Sequence, residues 1–273
     1  MAAIRSPNPS VVVFNRDNVC WITFNRPDAL NAINRDMIDA LIVITDALLH
    51  DTSVRAVVLQ GAGGHFMAGG DIKHFKERLD AGLDEAELKA EFQTLLDDVH
   101  RVIHNMRSMP QPILASVSGA VAGAGASVML SCDMVLASYD SVFTLAYCHL
   151  GVSPDGGSTY HLPRTVGLKR SFEIALLGDR FDAATAERWG LINRVVEADE
   201  LEAETEKLAR RLATGPTTAH ARAKHLLNNS HARGLNAQLE AETEAFVTCT
   251  LGPDFAEGVD AFVNKRKPEF EGQ

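Results

Sequence analysis

Residues 117–133 read VSGAVAGAGASVMLSCD, where glycine, alanine and serine crowd together more densely than an ordinary core helix requires. Small residues at that density let another group approach the backbone closely. The uncharged region extends from Ser108 to Cys132, long enough to raise the question of a membrane span. Composition answers it. Pro110 and Pro112 break the start, and Ser, Ala and Gly outweigh the strongly apolar residues, so insertion would gain little. The run instead reads as a buried strand over residues 113–118, a glycine-rich turn, and a buried helix opening near Gly123. A helix that opens on glycines offers unpaired N–H groups with no Cβ in the way, and these can hold a phosphate or an oxyanion. The same residues, spaced as Gly119 and Gly123, equally serve close packing. Neither GxxxxGK[ST] nor a GxGxxG after a strand is present, so neither nucleotide fingerprint applies.

At 273 residues with 46% hydrophobic content, the chain can bury one substantial core, and one large domain is the default. A formal net charge of −10 argues against nucleic acid or an anionic membrane as partner. The short basic cluster Lys265-Arg266-Lys267 could still meet a phosphate. Cys20, Cys132, Cys148 and Cys249 lie far apart with no CxxC, a usage that fits a reducing compartment and core packing. His100 and His104 stand one helical turn apart without the glutamate of an HExxH motif, so no metal site is expected. The start, MAAIRSPNPS, has no apolar targeting region, and a cytoplasmic protein is expected.

Working outward, residues 11–15 and 19–24 predict a hairpin, Asn34 a helix cap, and residues 35–50 a helix. The run VRAVVLQ (54–60) is β-branched and nearly continuous, the mark of a strand buried on both faces in a parallel sheet covered by helices. The loop GAGGHFMAGGD (61–71) ends on Asp71, expected to cap a helix from Ile72, and residues 85–107 carry a long amphipathic period. Strands follow over 134–138 and 142–145. The loop LGVSPDGGS (150–158) then presents one carboxylate, Asp155, as either an N-cap or a functional acid. Helices over 168–177 and 183–189 and a strand over 191–196 come next, and beyond Asp199 only helices. The expected organisation is an α/β core over residues 1–198 with a helical C-terminal region over 199–273.

Several stretches together resemble the crotonase superfamily, of the enoyl-CoA hydratase and isomerase type, over almost the whole chain. They are Asn25-Arg26-Pro27 with Leu30-Asn31-Ala32, Phe66 to Asp71, Val117 to Asp133, Pro154-Asp155-Gly156-Gly157 with Leu162-Pro163-Arg164, and Ala261 to Pro268. The resemblance implies an α/β fold, a crotonase-like spiral of ββα units with an α-helical C-terminal trimerisation region, assembled as a homotrimer or hexamer. It implies an acyl-CoA substrate and no separate cofactor, since coenzyme A is part of the substrate. It places the thioester oxygen between the backbone N–H groups of Ala68 and Ala124. Arg26, Ala29, Ala68, Gly69, Gly70, Asp71 and Ile72 would contact the CoA portion, with Phe262 and Lys265 near its nucleotide end.

Two departures bear on the chemistry. Hydratases of this family carry two glutamates that hold a water, and the matching positions here are Ser127 and Tyr147. Serine and tyrosine are poor general bases near neutral pH. Asp155 matches the aspartate of a subset of the family, and residues 151–166 with 175–180 look most like the ring-opening epoxyphenylacetyl-CoA isomerase type. The expectation is an acyl-CoA isomerase with Asp155 as its one base and Tyr147 orienting substrate, donating a hydrogen bond or packing in the core. A nucleophilic Asp155, as in a dehalogenase or thioester hydrolase, and a non-catalytic acyl-CoA-binding scaffold are the competing readings.

Overall fold

The structure is a computed structural model describing residues 4–272; residues 1–3, part of the segment read for targeting, and residue 273 lie outside it. The hairpin forms from β1 (Val11–Arg16) and β2 (Val19–Phe24). Asp17 and Asn18 turn it with φ of 53° and 62°, a left-handed pair that these two residue types tolerate. α1 (Arg35–Leu48) starts where the Asn34 side chain accepts the Met37 N–H. β3 (Ala56–Gly61), α2 (Ile72–Asp80) and α3 (Glu85–Ser108) follow, the last opened by a reciprocal Asp84/Glu87 capping box.

From here the chain repeats a unit that gives one strand to each of two sheets before turning into helix. β4 (Ile113–Val117), β5 (Ala120–Ala122) and α4 (Ala124–Leu130) form one such unit. β6 (Met134–Ser138), β7 (Val142–Thr144), α5 (Ser158–Thr165) and α6 (Gly167–Leu177) form the next. β8 (Phe181–Asp182), α7 (Ala183–Arg188) and β9 (Arg194–Val196) close the series. The larger sheet has the order β1-β2-β3-β4-β6-β9, parallel from β2 onward, and the smaller has the order β5-β7-β8.

Alternation along β2 and β3 sorts the side chains. Cys20, Ile22, Val57 and Leu59 face a core built with Met37, Leu41, Ile44, Val102 and Met106 of α1 and α3. Val19, Trp21, Ala56 and Val58 face the opposite way, onto Leu201, Ala209 and Ala213 of α8 (Leu201–Ala213). α8 therefore covers one face of the larger sheet, although it lies beyond residue 198, where the core was expected to end. α9 (Thr217–Asn229) is anchored through Lys224, whose side chain is 7% exposed. Its amine donates to Met106 O and Gln111 O, both at 3.0 Å, and pairs with Asp133 at 2.8 Å. α10 (Leu235–Thr250) and α11 (Pro253–Val263) complete the chain. Their outer faces, with that of α9, expose Leu227, Leu235, Phe246, Leu251 and Phe262. Among the described residues, no helix is long and apolar enough to cross a membrane.

Two elements differ from expectation. Residues 120–122, read as turn, form β5, whose ladder partner β7 is supplied from twenty residues on. Residues 158–165 form α5 despite Pro163, which lies in its last turns. Proline at such a position removes a hydrogen bond and reads as a breaker in isolation.

Candidate active site

Three segments converge around the start of α4. The first is the loop 66–71, stitched on one side to residues 118–122: Phe66 N–H donates to Ser118 O (2.8 Å), Met67 N–H to Ala120 O (3.1 Å), and Ala122 N–H to Met67 O (3.0 Å). On the other side it is stitched to residues 30–33, with Ala68 N–H donating to Leu30 O (3.0 Å), Ile33 N–H to Gly69 O (2.8 Å) and Asp71 N–H to Ile33 O (3.0 Å). Asn31 fixes this second seam. It is fully buried, sits at φ 56°, accepts the Arg26 N–H at 2.8 Å and donates to Ala62 O and His65 O at 2.9 and 2.6 Å.

This register corrects one expected donor. Ala68 N–H points to residues 30–33 and is consumed by Leu30, so it is not available to an oxyanion. Gly70 is flanked by the two bonds to Ile33, which turns its own N–H to the side away from Ile33. Among the described residues that N–H makes no hydrogen bond. Ala124 N–H is also unbonded, because the first helical bond of α4 runs from Ser127 N–H to Gly123 O (3.1 Å). The backbone of Gly69 lies against that of Gly123: a Cβ on Gly123 would sit 3.7 Å from the Gly69 Cα. Glycine-to-glycine contact is what brings loop and helix start together.

Arg26 and Asp71 are joined at 2.8 Å, and Arg26 also donates to Ala32 O. Asp71 caps α2 by accepting the His74 N–H at 3.4 Å, as expected. Burial opposes its charge, yet the Arg26 guanidinium and backbone donors at the start of α2 hold its carboxyl below the ordinary range. Ala29 ends a short helical turn beside Arg26, and Ile72 opens α2 with its side chain exposed. His65 is occupied structurally, its Nδ1 accepting the Ala120 N–H at 3.1 Å.

The third segment carries Asp155. Its side chain does not cap α5, which opens at Ser158 after two glycines with φ of 57° and 79°. Instead the Tyr147 hydroxyl donates to Asp155 Oδ1 at 2.5 Å. Ser127, on α4, lies 3.2 Å from the same hydroxyl and donates to the Asp155 backbone oxygen at 2.9 Å. Burial, then the Asp155 charge, pushes the Tyr147 phenol above the ordinary tyrosine range, which keeps it a donor. His161, one turn into α5, is driven down to about 4 by burial and by Arg107 and Arg164, so its ring is neutral at pH 7. Sequence reasoning did not single out His161, and no pattern around it marks its burial.

Comparison with known proteins shows the family. The enoyl-CoA hydratase/isomerase family pattern matches residues 15–273. The chain belongs to the enoyl-CoA hydratase/isomerase family. Among family members, it is 33% identical over 256 residues to the 1,2-epoxyphenylacetyl-CoA isomerase of Escherichia coli K12, covering 93% of this chain and 95% of that one. It is 31% identical over 261 residues to a short-chain-enoyl-CoA hydratase of Clostridium acetobutylicum, covering 95% and 97%. The crystal structure of an enoyl-CoA hydratase from Polaromonas sp. JS666 superposes with a TM-score of 0.88 at 30% identity, covering 96% of this chain and 99% of that one. Isomerase and hydratase names both occur within the family at this level of identity, so the side chains must decide between them. Phe262 and Lys265 are both exposed, Phe262 on α11 (86%) and Lys265 just past its end.

Proposed function

We propose that this family member is an acyl-CoA isomerase that shifts a double bond, or rearranges an epoxide, next to the thioester, with Asp155 as its single base. The observation that carries the reading is the hydrogen-bonded trio of Asp155, Tyr147 and Ser127, in which two members occupy the positions where a hydratase would carry glutamates. One carboxylate can take a proton from one carbon and return it to another. It lacks the second acid needed to hold and split a water across a double bond. The enolate oxygen formed on the way would lie between Gly70 N–H and Ala124 N–H, and each such donor is worth roughly 3 kcal/mol in the transition state.

The CoA portion would run along Arg26, Ala29, Ala68, Gly69, Asp71 and Ile72. Among the described residues the Ala68 carbonyl accepts no hydrogen bond, which suits it to a ligand donor. Phe262 and Lys265 would reach the nucleotide from a neighbouring copy. A homotrimer or hexamer is supported by the apolar groove between α9, α10 and α11, lined by Pro216, Ala219, Cys249, Phe255, Val259 and Phe262. Exposed apolar surface of that extent calls for cover.

The test is to incubate the protein with 3-enoyl-, 2-enoyl-, dienoyl- and epoxyphenylacetyl-CoA in deuterated water and follow exchange at the α-carbon. Exchange or isomerisation that disappears in Asp155→Asn supports the reading. A covalent adduct on Asp155 after rapid quench replaces it with nucleophilic chemistry, and indifference to Asp155→Asn replaces it with a binding scaffold.

A further inference from the structure

Ser127 is the one member of the trio that the proposed chemistry leaves without a task, and it is 1% exposed. A hydroxyl has one proton to give. Three oxygens surround this one: the Asp155 backbone oxygen at 2.9 Å, the Tyr147 hydroxyl at 3.2 Å and the Gly123 carbonyl at 3.4 Å. The Tyr147 hydroxyl donates to Asp155 Oδ1, so its one proton lies there. The Ser127 proton lies toward the Asp155 backbone oxygen, its nearest acceptor. The remaining side is closed by Gly156, where a Cβ would fall 2.8 Å from the Ser127 Cβ. α4 is thereby tied to Asp155 through its backbone oxygen, one turn after Ala124 offers its N–H. Groups that act on one substrate atom set must be held to a fraction of an ångström.

We infer that Ser127 is a positioning residue, holding Asp155, and with it the carboxylate that Tyr147 orients, in register with the Ala124 N–H through the Asp155 backbone oxygen. The inference rests on Asp155 being the base.

The test uses the full chain with Ser127→Ala, Ser127→Cys, Tyr147→Phe and the double variant Ser127→Ala/Tyr147→Phe, turned over on a straight-chain 3-enoyl-CoA. A second reading needs no substrate: the downfield proton resonance of the Tyr147 to Asp155 hydrogen bond, identified by its loss in Tyr147→Phe. Ser127→Ala is expected to lower kcat about three- to tenfold, the worth of a neutral hydrogen bond, with KM unchanged and the resonance displaced. Ser127→Cys, which keeps a weak donor, should fall between, and decides the matter by the same readings if Ser127→Ala does not fold. The double variant should lose less than the product of the single losses. An unchanged kcat and resonance in Ser127→Ala, or a rise in KM alone, overturns the inference. Exchange that survives Asp155→Asn removes the base assignment itself, and the resonance then reports on Ser127 independently.

Discussion

Gly125 and Met67 meet backbone to backbone: a Cβ on Gly125 would lie 2.1 Å from the Met67 carbonyl oxygen. That oxygen already accepts the Ala122 N–H, so it cannot move aside without breaking the seam between the loop and β5. Gly125→Ala is expected to push loop 66–71 away from α4 and cost about 1–3 kcal/mol through overpacking. Turnover should fall by about a hundredfold, since a misplacement of this kind separates the two N–H donors. Chemical denaturation and steady-state kinetics on the same sample check both. Full activity in this variant would show that the spacing of the two backbones is not what the chemistry uses.

Tyr147→Phe removes the donor to Asp155 and leaves the ring in place. A hydrogen bond to a charged group is worth about 1.5–3 kcal/mol, so kcat should fall roughly ten- to a hundredfold. Because the phenol is held above its ordinary range, the unmodified protein should show no alkaline loss from Tyr147 below about pH 10. A pH profile of kcat for both forms tests the pair of statements.

Lys224→Met should destabilise by about 3 kcal/mol, because the partner Asp133 is left without its nearest cation. Arg107 lies 3.5 Å away on the other carboxylate oxygen and offsets part of the loss. Urea denaturation followed by circular dichroism measures it, and an unchanged midpoint would mean that α9 is held by its apolar contacts alone.

His161 predicts acid sensitivity of a definite sign. Its folded value, about 4, lies below the ordinary histidine value of roughly 6.5. The unfolded chain therefore binds a proton that the folded chain refuses. The stability this supplies is complete above pH 6.5 and is lost as pH falls from there toward 4. Denaturation midpoints at pH 7 and pH 4.5 should differ less in His161→Gln than in the unmodified protein.

Much of this was legible from the residues. The hairpin, the Asn34 and Asp71 caps, the doubly buried β3 and the opening of α4 all follow from local chemistry, and the structure places them within a residue or two of expectation. What was not legible depends on register between distant segments. That Gly70 N–H and not Ala68 N–H is open follows from pairing with Ile33, more than thirty residues earlier. β5 has three residues and takes its identity from β7. The contacts of Ser127 were not legible because its partners, Tyr147 and Asp155, come from the next unit of the chain. The expected boundary at residue 198 followed the change to helices alone beyond Asp199, whereas α8 packs on one face of the larger sheet.

α2 has no buried residue, and α3 buries only Val99, Val102, Ile103 and Met106 in its second half. The loops that carry the unbonded N–H groups, by contrast, are fastened through buried backbone on both flanks. Mutations can therefore accumulate between residues 72 and 96 with little effect on folding free energy, while those at residues 66–71 or 123–127 meet immediate steric resistance. The first region is thus free to diverge while the two N–H groups keep their spacing.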